Sequence, residues 1–204
     1  MGRKASEQRQ REILEAALEC FSSKGFGAST MADIRARAGA STGSIYHHFK
    51  SKEQLAAELY LQGVRSMQEQ GLAALLRNER TERGIRALVE AYLDWVNDHR
   101  ALAAFLFTMR HADFMDAVEA DLDRIQREAI EAAADWFRAR MVSGELRNLA
   151  PDILRAILYG PAAHFAQRWA NARADVPLDT AKQLLGSAAW DALKDLRPRP
   201  APTH

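Results

Sequence analysis

An all-α fold is the expectation, and three observations carry it. Apolar residues recur three and four positions apart in almost every periodic segment, as one face of a helix requires. No segment sustains the alternation of β-branched and polar residues that marks a half-buried strand. The breaks between segments fall at Gly or Pro, or just before Ser or Thr, the residues that stop and cap helices. The 204 residues are 48% apolar and carry 28 Lys and Arg against 27 Asp and Glu, a composition that supports a packed core and argues against a disordered or fibrous chain.

The first helix is expected over 7–24, with Ile13, Ala17, Cys20 and Phe21 on one face and Gly25 as a left-handed C-terminal cap. Thr30, followed by Asp33, reads as a capping box opening a short helix from Met31 to about Ala38, which Gly39 breaks. Ser41 caps a third helix through His48. Ser51 with Gln54 caps a fourth, which starts at Lys52, carries Leu55, Leu59 and Met67, and runs to about Asn78. Thr81 opens a fifth with Ile85, Leu88, Val89, Tyr92 and Val96 along it. An aromatic and aliphatic stretch, 102–109, comes next; if its helix continues, His111 lies one turn from both Phe107 and Met115. A long helix over 116–142 stops at Ser143 and Gly144. Pro151 suits the first turn of a helix reaching about 172, inside which Pro161 predicts a kink. A last helix follows Pro177 to about Leu196, and the three prolines of 197–204 predict a frayed tail. The expected division is 1–53, 54–196 and the tail 197–204.

Cys20 is the single cysteine, so no internal disulfide forms and a reducing cytoplasm fits. The first residues turn polar and acidic before any apolar run, so no secretory leader is expected, and no stretch is apolar for long enough to span a membrane. Charge is unevenly spread. Residues 1–52 hold nine Lys and Arg against five acids, a net of +4, while the remainder holds 19 against 22, a net of −3. A basic head on an acidic body is the pattern of a local polyanion-binding surface.

Residues 30–55 are the most informative. Two short helices joined by Ala38, Gly39 and Ala40 match a helix-turn-helix, with glycine at the tight turn. At ~100° per residue, turning Ile45 inward places Phe49 within ~40° of it, while Gly43 and His47 point nearly opposite and Ser44 and Tyr46 flank them. Ile34 is expected to pack on Ile45. Such a helix suits the major groove: Gly43 allows close backbone approach, and Ser41 and Thr42 bring hydroxyls and free backbone donors to a positive helix terminus. Lys50 and Lys52 lie just beyond. Arg3, Lys4, Arg9 and Arg11 are read as a mobile basic arm, either solvated surface charge or a segment that follows the DNA backbone or enters a minor groove.

The string from Arg9 to Leu55 resembles the DNA-binding domain of the TetR (tetracycline-repressor-type) transcriptional regulators. The resemblance runs through Ile13-Leu14-Glu15-Ala16-Ala17, Phe21, Gly25-Phe26, Thr30-Met31-Ala32-Asp33-Ile34, Ala38-Gly39, Gly43-Ser44-Ile45-Tyr46-His47-His48-Phe49 and Ser51-Lys52-Glu53-Gln54-Leu55. It covers about a quarter of the chain. It implies phosphate contacts from Thr30, Tyr46 and Lys52, and groove contacts from Thr42, Gly43, Ser44 and His47. It also implies a homodimer through the last two helices, a double-stranded, palindromic DNA operator, and repression relieved by a small effector. One departure matters: the recognition helix has no Arg, Lys, Asn or Gln to make strong bidentate base contacts. Base discrimination then falls to hydroxyls, backbone, DNA shape, or Arg35 and Arg37 on the preceding helix.

The remaining chain is dense in large soft side chains, which suggests an apolar pocket between helices with a few polar groups. Its candidate lining is Trp95, His99, Phe105, Met109, His111, Met115, Trp136, Tyr159, His164 and Phe165. Few carboxylates fall among them, which favours a flat or hydrophobic, neutral or anionic effector over a small cation. Leu154, Ile157, Leu158, Phe165 and Trp169 on one helix, with Leu184, Leu185, Ala188 and Leu193 on the next, supply apolar surface for a contact between subunits.

The competing class is a helical-bundle ligand-binding protein or metal-dependent enzyme. Against it, His47 and His48 are adjacent and diverge by ~100°, and the other histidines are scattered without a ligand-spaced partner. No phosphate-binding loop, nucleophile elbow or dinucleotide fingerprint is present. No catalytic residue, metal site or cofactor is expected.

Overall fold

The computed structural model describes residues 2–171 and 173–196, so the expected tail at 197–204 lies outside the described residues. Among them are nine α-helices: α1 (Gly2–Lys24), α2 (Met31–Arg37), α3 (Thr42–His48), α4 (Lys52–Leu76), α5 (Thr81–Asp98), α6 (Arg100–Met109), α7 (Glu119–Val142), α8 (Pro151–Ala170) and α9 (Leu178–Leu193). No strand occurs among the described residues, only an isolated bridge between Leu146 and Lys194. Among the described residues no helix is long and apolar enough to cross a membrane. The chain divides into two compact units, 1–65 with 99–123 and 66–98 with 124–204, so the division by compactness follows a different line from the expected one after residue 53.

The first unit is built by glycine stops and side-chain caps. Gly25 ends α1 in a left-handed conformation (φ +80), its N–H donating to the Phe21 carbonyl at 3.0 Å. The core gathers Ile13, Leu14, Ala17 and Phe21 of α1 with Ile34, Ile45, Phe49 and Leu55. Phe21 also stacks on Phe105 of α6, ring centroids 5.6 Å apart, and meets Phe26 edge-on. Gly63 of α4 lies against Leu102 and Leu106. Two expectations change here. Helix α1 already runs from Gly2, where a mobile arm was expected. Helix α6 stops at Met109, and a 3-10 turn at Asp113–Ala117 follows, so His111 is not one helical turn from Phe107 and Met115.

The second unit centres on α5, whose Ile85, Leu88, Val89, Tyr92, Leu93, Trp95 and Val96 are buried. Helices α8 and α9 pack against it. Thr81 is buried, and its hydroxyl donates to the Glu145 carboxylate instead of capping. Gly144 (φ +73) ends α7 as expected, its N–H donating to the Met141 carbonyl and that of Glu145 to Arg140. Helix α8 begins at Pro151 and runs through Pro161 without interruption.

Candidate nucleic-acid interface

Local chemistry fixes the two short helices. Thr30 is extended (φ −120, ψ 159), and its hydroxyl accepts from the Asp33 N–H at 3.1 Å. In return the Asp33 carboxylate accepts from the Thr30 N–H at 3.0 Å and from its hydroxyl at 2.8 Å. The capping box is complete. The Lys24 ammonium lies 2.6 Å from the same carboxylate, and these donors, Lys24 foremost and Thr30 next, hold its pKa down at about 2.

Helix α2 then closes with a Schellman turn. The Gly39 N–H (φ +55) reaches the Ala36 carbonyl at 3.3 Å, and that of Ala40 reaches Arg35 at 3.1 Å. Ser41 begins α3 by accepting the Ser44 N–H at 3.1 Å. Ile34 and Ile45 are fully buried and Phe49 nearly so. Thr42, Gly43, Tyr46 and His47 are consequently exposed, with Ser44 half-buried. The opening of α4 varies the expected box: Ser51 accepts from Gln54, whose own side chain accepts from the Lys50 N–H, one residue earlier than the cap.

Gly43 has no internal explanation. Its φ lies outside the left-handed region, and a methyl group built on it meets nothing within 4 Å. Glycine within a helix costs roughly 0.5–1 kcal/mol relative to alanine. The chain bears that cost on the exposed face of α3, where no neighbour demands it.

The basic side chains of this region separate by partner. Lys24 pairs with Asp33, Arg37 with Glu19 at 2.8 Å and Arg9 with Glu12 at 2.9 Å. Arg9 also reaches the Ala38 carbonyl at 3.4 Å, tying α1 to the end of α2; it therefore braces the turn and is not part of a loose arm. Lys52, half-buried, donates to the carbonyls of Phe26, Gly27 and Ser29 at 3.1–3.2 Å and lies 4.7 Å from the centre of the Phe26 ring. Its charge holds together the loop before α2, where the resemblance implied a phosphate contact. Lys50 donates to the Tyr46 carbonyl at 2.8 Å. The Arg35 guanidinium donates to the Thr42 hydroxyl at 3.2 Å.

The candidate effector residues fall in both units. His99, Phe105, Met109, His111 and Met115 belong to the first, where Phe105 is part of the core and His99 and His111 are exposed. Trp95, Trp136, Tyr159, His164 and Phe165 belong to the second. Trp95 is fully buried and its indole N–H donates to the Ser66 hydroxyl at 3.0 Å. Trp136 fills the space over Gly84, donates to the Asn78 carbonyl at 3.3 Å and carries the Arg140 guanidinium 3.8 Å from its ring centre. Tyr159 meets Tyr92 edge-on at 5.8 Å, and burial pushes its phenol up to about 12; His164 is exposed and Phe165 half-buried. A depression of about 440 Å³ lies elsewhere, within the first unit, between α1, Arg37 and Ala101. Among the described residues no group of His, Cys, Asp and Glu is arranged to hold a metal ion.

These features define the class: a helix-turn-helix protein whose second motif helix leaves one face exposed. Residues 13–59 match the model of bacterial regulatory proteins of the tetR family. The transcriptional repressor AcnR of Corynebacterium jeikeium is 27% identical over 186 residues, spanning 88% of this chain and 93% of AcnR. The repressor KstR2 of Mycolicibacterium smegmatis is 47% identical over 51 residues, 25% of each chain. In fold, a TetR-family regulator from Marinobacter aquaeolei superposes with a TM-score of 0.74 at 21% identity, covering 95% of this chain and 99% of that one. Residues 13–59 carry the DNA-binding domain of the tetR family of bacterial regulatory proteins, and the chain is a DNA-binding transcriptional regulator.

Proposed function

We propose that the chain is a repressor that binds a twofold-symmetric operator as a homodimer and is released by a small apolar or aromatic effector. The observation that carries the reading is the exposed face of α3. Gly43, Thr42, Tyr46 and His47 stand free of the core, and the glycine among them has no packing reason. Close approach of a groove to the helix backbone supplies that reason. Thr30, Arg35, Ser41, Ser44 and Lys50 complete the proposed contact surface, with Lys52 acting through the loop that it holds. The names of AcnR and KstR2 favour repression.

Dimerisation is assigned to α8 and α9. There Ile153 and Leu184 are 53% and 63% exposed, apolar side chains that a subunit contact through these helices would cover. The effector reading rests on the second unit's aromatic interior. There the Tyr159 phenol remains neutral and able to donate a hydrogen bond, which suits a neutral or anionic ligand. Release follows if the effector prefers one arrangement of these helices and α4, which contributes residues to both units, carries the difference to α2 and α3.

The test is a footprint of the full chain on the DNA flanking its own gene, repeated with aromatic and long-chain apolar ligands. Protection of a palindromic site that disappears with one such ligand is the expected result. Absence of preference for any duplex in dilute salt would overturn the DNA assignment. Thermal stabilisation by polar metabolites alone would overturn the effector class.

A further inference from the structure

We propose that Arg35, a residue of the first helix of the motif, is the side chain that reads a guanine in each operator half-site, with Thr42 as its positioning residue. The inference rests on the DNA-binding reading above and sharpens it. The exposed face of α3 offers hydroxyls, one imidazole and a glycine, none of which makes the paired contact to guanine O6 and N7. A planar fork of donors does, and residues 30–52 hold two guanidinium groups, Arg35 and Arg37.

The structure separates the two. Arg37 is turned to α1 and bound to Glu19 at 2.8 Å. Arg35 is turned to α3, and among the described residues the Thr42 hydroxyl is its guanidinium's hydrogen-bond partner, at 3.2 Å, with no carboxylate beside it. One of its five N–H groups is engaged, and the others remain to donate. Its backbone is fixed as well, because its carbonyl accepts the Ala40 N–H in the turn that joins the helices. Both ends of the residue are therefore tied to the segment leading into α3. The charge is held, half-buried and without a neutralising acid, next to the first residue of the groove-facing helix. Lys50 and Lys52, the other cations nearby, are bound to backbone carbonyls, Lys50 to that of Tyr46 and Lys52 to those of Phe26, Gly27 and Ser29.

Selection of binding sites from a randomised duplex pool tests the assignment, using the full-length wild type and the variants Arg35→Lys, Arg35→Ala, Thr42→Val and Thr42→Ser. The wild type is expected to enrich a guanine at one position per half-site. Arg35→Lys keeps the charge and replaces the rigid fork with a flexible ammonium, so that guanine preference should weaken while preferences at other positions persist. Arg35→Ala should bind the wild-type site about 10- to 100-fold more weakly. Thr42→Val should weaken the same preference, and Thr42→Ser should restore it. If Arg35→Ala still enriches guanine there, another group reads that base, and if Arg35→Ala weakens all duplexes equally and lowers the salt slope by about one, Arg35 is a phosphate contact; either result overturns the proposal. Loss of sequence preference in the wild type would sink the DNA-binding reading instead.

Discussion

Gly84 in α5 and Gly43 in α3 are the same residue used for opposite reasons. A methyl group at Gly84 would lie 2.5 Å from Cζ2 of Trp136, whose ring is buried, hydrogen-bonded to Asn78 and covered by Arg140. At Gly43 the same group would meet nothing. One glycine is required by the chain's own packing, and the other is free of any internal demand. The contrast separates a glycine that the fold demands from one that it does not.

Gly84→Ala attacks the first half of the contrast and should have the largest effect. The indole is pinned and has little room to yield, so destabilisation of about 1–3 kcal/mol is expected. Urea denaturation measures it, and an unchanged midpoint would show that the ring moves freely. Gly43→Ala attacks the second half with opposite signs: stability rises by about 0.5–1 kcal/mol while operator affinity falls roughly tenfold. Mobility-shift titration beside thermal melting reads both, and unaltered affinity would remove close approach from the reading.

Thr30→Ala removes one cap and leaves the faces of both helices untouched. A loss of about 1 kcal/mol is expected in the same denaturation assay. Asp33→Asn sharpens the point through pH and should show the smallest effect. Because the Asp33 carboxyl is held at about 2, below its ordinary 3.8, the advantage of wild type over the variant is present above pH ~4. It fades as pH falls towards ~2, where the carboxyl takes up its proton in the folded state. A gap constant across that range would mean that the Lys24–Asp33 contact does not persist in solution.

The motif was legible because its determinants are local. Thr30 with Asp33, Gly39 and Ser41 act over three to five residues, so their spacing in sequence is nearly their spacing in space. The burial of Ile34, Ile45 and Phe49 follows from helical periodicity alone. What escaped is tertiary. Lys52 meets carbonyls 23 to 26 residues earlier, and Arg9 meets one 29 residues later. Neither distance leaves a pattern in composition or period. The end of α6 at Met109 escaped for another reason: His111, Ala112 and Asp113 carry no Gly or Pro, so nothing local announced the turn. Aromatic density likewise marked buried places without saying which of them share a wall, as Trp136 over Gly84 shows.

The inward hold of Lys52 changes how this protein should respond to ionic strength. A cation that meets phosphate displaces condensed counterions, and affinity then declines with added salt in proportion to the number displaced. An ammonium committed to three carbonyls of its own chain displaces none. With Lys24, Arg37 and Arg9 also matched to acids, the slope of binding against salt should register far fewer ions per subunit than the nine basic residues of 1–52 would suggest.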